Sequence, residues 1–225
     1  MTQNWIAKTI EQMIERRRQF FWDAFAALEI NKITGDYVEF GSYGGNSLSL
    51  AYEAISQIGG KRHLWAFDSF SALPEITDAR DERWRSPFDT NQGGIENFYA
   101  EVDKQGVPRE AYTAVEGYFS DTLPLLGTDG PPVDIALAYV DCNMYTSTVT
   151  AFEFLAPRLK HGMIVAFDDY FLWSPTEVSG ERSALAEFLA AHPQWHFERY
   201  KDVHYVGLSF VVERVDALTP GASIQ

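Results

Sequence analysis

Acidic residues in this chain stand at the ends of apolar runs, and that placement is the first sign of chemistry. Glu39 lies in the run Tyr37-Val38-Glu39-Phe40, Asp68 follows His63 to Phe67, and Glu116 closes the run from Tyr112. Asp141 follows Ile135 to Val140, and Asp168 and Asp169 follow Met163 to Phe167. If these runs are neighbouring strands, their carboxylates crowd one crevice. Like charges so close must be hydrogen-bonded, protonated or matched by a cation. Asp141, Asp168 and Asp169 form the densest group. Hard oxygen ligands of this kind suit Mg²⁺ or Ca²⁺, with water filling the remaining positions, so the three are the candidate metal ligands.

A second feature is the turn Gly41-Ser42-Tyr43-Gly44-Gly45-Asn46-Ser47 after the first run. It lets the backbone pass close to a ligand and opens a helix. Its spacing is neither G-x-G-x-x-G nor that of a phosphate loop. Asp68, at the end of the next run, has the position of a carboxylate that accepts the hydroxyls of a ribose. Together they indicate a nucleoside-containing cofactor, and at this level NAD and S-adenosylmethionine both fit. Cys142 reads as a buried, inert thiol. Histidines 63, 161, 192, 196 and 204 show no metal-ligand spacing, and His192 is the one placed where it could enter a pocket.

Placing these residues together requires an α/β fold. Apolar runs alternate with helical segments, which predicts a mostly parallel sheet covered by helices on both faces. The last two runs, Trp195 to Tyr200 and Tyr205 to Val212, are joined too tightly for a parallel crossover, so the sheet should carry an antiparallel edge. Residues 1–225 are read as one domain. Residues 1–34 form an N-terminal helical extension, with Arg16, Arg17 and Arg18 mostly on its outer side; it reads as a helix packed on its own domain, with a lid or homodimer contact as the alternative. Residues 71–94 lack periodicity and are read as a lid or substrate loop. The stretch with Trp173, Ser174 and Pro175 is a second candidate wall of the acceptor pocket, and Asp216 to Gln225 reads as a flexible tail.

Composition narrows the partners. The chain has 225 residues, 18 basic and 32 acidic, for a net charge of −14. Such a surface repels phosphate backbones, so nucleic acid is not an expected partner. No run approaches the length of a membrane span, and no signal-like apolar stretch follows Met1. The single cysteine excludes an internal disulfide and fits a cytoplasmic protein.

Five segments resemble the macrocin O-methyltransferase (TylF-type) family. They are Tyr37 to Ser47, Phe67-Asp68-Ser69-Phe70-Ser71-Ala72-Leu73-Pro74, Gly117-Tyr118-Phe119-Ser120-Asp121-Thr122-Leu123-Pro124, Val140 to Thr148, and Phe167-Asp168-Asp169-Tyr170. The resemblance implies a Rossmann-like class I methyltransferase with a seven-stranded sheet, S-adenosylmethionine as methyl donor, Mg²⁺ on Asp141, Asp168 and Asp169, and a small hydroxylated acceptor such as a natural-product sugar. The candidate cofactor contacts are Glu39, Gly41, Ser42, Asn46, Ser47, Asp68, Ser69, Gly117 and Asp141, with Asp68 on the ribose. Methylating a hydroxyl needs a group that takes its proton, and a metal would lower the hydroxyl's pKa. The family pattern D-x-D-x-Y here reads Asp141-Cys142-Asn143-Met144-Tyr145. Asn143 stands where the family has a candidate base, and an amide takes no proton at neutral pH. Asp169 and Asp141 are then the catalytic candidates beside Asn143. The alternatives are a relative that binds S-adenosylmethionine without catalysis, or a nucleotide-dependent enzyme of another class.

Overall fold

In the computed structural model, residues 2–85 and 93–218 are described. Part of the expected lid, 86–92, and the end of the tail, 219–225, lie outside the described residues. The apolar runs form strands β1 (Asp36–Phe40), β2 (Leu64–Asp68), β3 (Tyr112–Glu116), β4 (Ile135–Val140), β5 (Ile164–Phe167), β6 (Trp195–Asp202) and β7 (Leu208–Arg214). The helices between them are α1 (Thr2–Ile30), α2 (Asn46–Ile58), α3 (Gly94–Lys104), α4 (Phe119–Leu126), α5 (Tyr145–Leu155) and α6 (Gly180–Ala191).

The seven strands make one sheet in the order β3-β2-β1-β4-β5-β7-β6. Strands β1 to β5 pair in parallel. The antiparallel strand at the far edge region is β7, which inserts between β5 and β6. The chain order reverses at β1, where β2 and β4 flank it on opposite sides; such a switch point opens a crevice at the carboxyl ends of the strands. Register makes that crevice specific. Phe40 pairs with Phe67 and Val140, and Val140 pairs with Phe167. Gly41, Asp68, Asp141 and Asp168 each follow those residues and so line up side by side.

Buried β4, Ile-Ala-Leu-Ala-Tyr-Val, is the centre of the sheet and is covered on both faces. On one face α1 buries Phe20, Phe21, Ala24, Phe25 and Leu28. The Phe21 ring meets Tyr37 at 5.8 Å and Tyr139 at 5.2 Å between centroids. The N-terminal helix therefore packs on its own sheet. On the other face Phe152, Phe188 and Phe197 form a cluster with Phe167 and Phe210. Among the described residues, no helix is long and apolar enough to cross a membrane.

Two elements depart from the sequence reading. Helix α4 is absent from it, because Gly117 and Pro124 both look like chain breakers. Gly117 instead ends β3, with φ of 138°, and Pro124 sits inside the short helix. The segment 71–94 is not irregular throughout: Ala79–Arg85 is a 3-10 helix. Its Asp81 is fully buried and accepts from the Tyr145 amide at 2.6 Å, the Thr146 amide at 3.1 Å and the Thr146 hydroxyl at 2.8 Å. A side chain from a distant loop thus caps the N-terminus of α5, whose first amides have no partner within the helix.

Candidate active site

A cleft of about 910 Å³ opens at the carboxyl ends of β1, β2 and β4. Gly41, Ser42, Asn46, Ser47, Asp68, Ser69 and Asp141 line it, together with Asn143. The glycine turn forms its floor. A Cβ on Gly41, which has φ of +92°, would lie 2.0 Å from the Asp141 carbonyl oxygen, so only glycine allows β1 and β4 to end this close. Gly45 is left-handed at the start of α2 and offers no side-chain cap, and Asn46 and Ser47 of that first turn line the cleft. Uncapped amides of this kind bind anionic groups.

Asp68 does something the sequence reading did not assign. Its Oδ2 accepts from the Ser42 amide at 2.7 Å and the Tyr43 amide at 3.0 Å, and its Oδ1 from the Phe70 amide at 2.7 Å. It therefore pins the glycine turn and the start of the next loop. Glu39 is fully buried beside it, and Tyr37 donates to its Oε2 at 2.7 Å. Burial pushes Glu39 up to about 7, against the opposing Tyr37 hydrogen bond. Glu39 Oε1, Ser42 Oγ and Asn46 Oδ1 are buried and make no hydrogen bond of good geometry, although the Ser42 and Ser47 side chains lie near enough to Glu39 to favour its ionised form. Leaving such atoms bare costs on the order of 1–3 kcal/mol each, so they mark a place made for a polar ligand. Glu39 and Gly117 are not among the cleft-lining residues; Gly117 sits one step behind, with its amide on the Asp68 carbonyl at 2.9 Å, and Tyr118 and Phe119 line the wall it leads to.

The segment after Asp68 closes the opposite side. Ser71, Ala72, Leu73, Pro74 and Trp84 line the cleft. The 3-10 helix ties it down: Arg80 lies 3.3 Å above the Tyr145 ring and pairs with Glu187 at 2.7 Å. The stretch around Trp173 forms a separate surface groove with Pro175 and Arg182 rather than a wall of this cleft. His192 stacks on Phe188 at 4.1 Å and does not line the cleft.

Behind Asp141 the acidic cluster is arranged around Asp168, and neither Asp168 nor Asp169 is among the residues that line the cleft. Arg17 of α1 donates through Nε to Oδ1 at 2.8 Å and through Nη2 to Oδ2 at 2.5 Å. The Tyr139 hydroxyl donates to Oδ1, and His204 Nε2 lies 2.9 Å from it. Burial works against ionisation here, yet His204 and Arg17 hold Asp168 well below the usual carboxylate range. Its neighbours go the other way. Burial, then the charge of Asp168, pushes Asp169 up to about 7. Burial and both Asp168 and Asp169 push Asp141 well up. Glu181 is also fully buried and pushed up, with the Asp169 amide on its Oε2 at 2.9 Å and no partner for Oε1.

This arrangement bears on the expected cation. Among the described residues, the one group of three with ligand atoms within 4.8 Å of one another is the surface set His196, Glu198 and Glu213. Asp141, Asp168 and Asp169 do not form such a group, and both oxygens of Asp168 are in use. As arranged, the three do not fit a divalent ion. Arg17, Glu181 and His204 are the residues that sequence reasoning missed. For Arg17 the signal was present: Ile14, Arg17, Phe21, Ala24 and Leu28 follow one another at helical spacing, so the middle arginine of the run belongs on the inner stripe.

Residues 2–193 match the macrocin O-methyltransferase (TylF) family. The chain belongs to that family. Among its curated relatives is an 8-demethyl-8-(2,3-dimethoxy-alpha-L-rhamnosyl)-tetracenomycin-C 4'-O-methyltransferase of Streptomyces olivaceus, 32% identical over 145 residues, covering 61% of this chain and 54% of that protein. Another is a demethyldecarbamoylnovobiocin O-methyltransferase of Streptomyces niveus, 26% identical over 155 residues, covering 64% of this chain and 56% of that protein. The match thus spans little more than half the length of these curated relatives. The O-methyltransferase NovP superimposes with a TM-score of 0.71 at 20% identity, over 88% of this chain and 80% of its own, and shares the class I methyltransferase fold.

Proposed function

We propose that this TylF-family chain transfers a methyl group from S-adenosylmethionine to a hydroxyl of a small, sugar-bearing acceptor. The observation that carries the reading is the set of bare buried atoms under the glycine turn, Ser42 Oγ and Asn46 Oδ1 on residues that line the cleft and Glu39 Oε1 behind them. Two are acceptors and the third is a hydroxyl, which suits an ammonium group with its several N–H donors. The uncapped start of α2 beside them suits a carboxylate. An amino acid carries both groups, and the donor's methionine end is one. Family membership and the curated O-methyltransferase relatives support the same reading.

The donor, once bound, supplies an electrophilic methyl carbon. The chain's residues do the rest. Leu73, Pro74, Tyr118 and Phe119 give the cleft apolar walls that exclude water. An acceptor hydroxyl held near Asp141 and Asn143 supplies the lone pair that forms the new O–C bond. The C–S bonding pair returns to sulfur, and the hydroxyl proton passes to a carboxylate. We assign that last step to Asp169, which stands behind the cleft-lining Asp141 and interacts with it, and which burial and the charge of Asp168 push up to about 7, where it can take a proton at neutral pH. Asn143, at a left-handed φ of 62°, can orient the hydroxyl but not take its proton.

The test is calorimetric titration with S-adenosylmethionine, followed by a screen of glycosylated acceptors for methyl transfer. Binding followed by turnover of a sugar hydroxyl is the expected result. Binding without turnover of any acceptor would favour the non-catalytic reading that Asn143 motivates.

A further inference from the structure

Among the described residues that line the cleft, Arg17 is the one cation. We propose that Arg17 is the site's resident cation and stands in place of a divalent metal, so that this chain binds its donor and acts without one. The catalytic use of Arg17 rests on the methyltransferase reading; its exclusion of a metal does not.

Three observations carry the proposal. Asp168 Oδ1 is surrounded by Arg17 Nε, the Tyr139 hydroxyl and His204 Nε2, and Oδ2 by Arg17 Nη2, so a metal must displace a bidentate ion pair to gain either oxygen. Arg17 also has little exposure to water, 18% for its side chain against 5% for Asp168. A divalent ion on Asp141 or Asp169 would then face a fixed positive charge in a poorly screened setting. A guanidinium does not lose its proton to relieve that repulsion. Finally, among the described residues Nη1 makes no hydrogen bond, although Arg17 lines the cleft. Its two N–H groups can hold an acceptor oxygen and stabilise the charge that develops there. Those are two of the tasks a bound metal performs. Asn143, in place of a further carboxylate, lowers the negative charge that would attract a metal.

The test is a Mn²⁺ titration followed by electron paramagnetic resonance. It uses a Glu213→Gln background, so that the surface His196–Glu198–Glu213 group does not contribute. The background protein should bind no Mn²⁺ at the cleft in the submillimolar range. Arg17→Met should gain one ion per chain, at least about ten-fold tighter, and lose it again when Asp168→Asn is added. Affinity for S-adenosylmethionine should agree within about two-fold in EDTA and in Mg²⁺. A Mn²⁺ ion in the background protein that Asp168→Asn or Asp169→Asn removes overturns the proposal. So does a folded Arg17→Met that gains none. Should Arg17→Met not fold, the background titration decides alone. Should S-adenosylmethionine not bind at all, the methyltransferase reading fails while the Mn²⁺ results still judge Arg17.

Discussion

Arg17 and Asp168 lie 151 positions apart and meet in a two-point ion pair, 2.8 Å and 2.5 Å, at the carboxyl end of the sheet. The pair joins the N-terminal helix to the strand end that carries the site's acidic cluster. It therefore belongs to stability and to chemistry at once. Removing Arg17 leaves the Asp168 carboxylate buried with, among the described residues, only the Tyr139 hydroxyl and His204 beside it. Arg17→Met should lower stability by about 3–5 kcal/mol, read by denaturant unfolding at neutral pH. Asp168 is held below its ordinary range, so its contribution is complete above the unfolded carboxylate pKa of about 4 and is lost as pH falls toward the depressed folded value. The penalty of Asp168→Asn should accordingly shrink as unfolding is measured at progressively lower pH below about 4.

Glu39 shifts in the opposite sense. Its folded pKa of about 7 lies above that of an unfolded glutamate, so it favours the folded state at acid pH and that stability is lost as pH rises toward 7. A ligand ammonium on Oε1 would favour the ionised form. Binding S-adenosylmethionine near pH 6.5 should then release a fraction of a proton, seen as a dependence of the calorimetric heat on buffer ionisation enthalpy. Glu39→Gln should abolish that dependence; an unchanged one would remove Glu39 from the ammonium site.

Asp81 couples the segment 71–85 to α5. Asp81→Ala uncaps the helix and should cost about 1–2 kcal/mol of stability. It should also raise amide exchange across 71–85 more than in the sheet. Uniform exchange changes would mean that the segment is held by its other contacts.

Asp169 is the proposed base. Asp169→Asn should retain binding of S-adenosylmethionine and lose about 10²–10⁴-fold in turnover. The wild-type rate should rise with pH through about 7, where Asp169 loses its proton. Turnover near the wild-type level in Asp169→Asn would exclude it.

Much of this was legible in the residues. Apolar runs with acids at their ends located five strands and the crevice, because the strand ends of a parallel sheet converge whatever the loops do, and the tight connection between the last two runs gave the remaining strands. The glycine turn, Asp68 and Asp141 line the cleft as their order implied. What could not be read was pairing across distance. Asp68 was matched to a ribose, but its oxygens hold the Ser42, Tyr43 and Phe70 amides. Asp81 lies in an aperiodic segment, and nothing local says that its partner is a helix more than sixty residues on. The metal expectation counted carboxylates without the arginine that meets one of them. Glu181 looked like an ordinary first-turn acid, yet it is buried against Asp169.

The central claim is that the cleft binds S-adenosylmethionine, and calorimetric titration in EDTA tests it most directly. The account predicts one equivalent bound per chain, weakened at least about ten-fold by Asp68→Ala, which releases the turn that Asp68 pins. No binding by the folded wild-type chain, with or without added Mg²⁺, would contradict it.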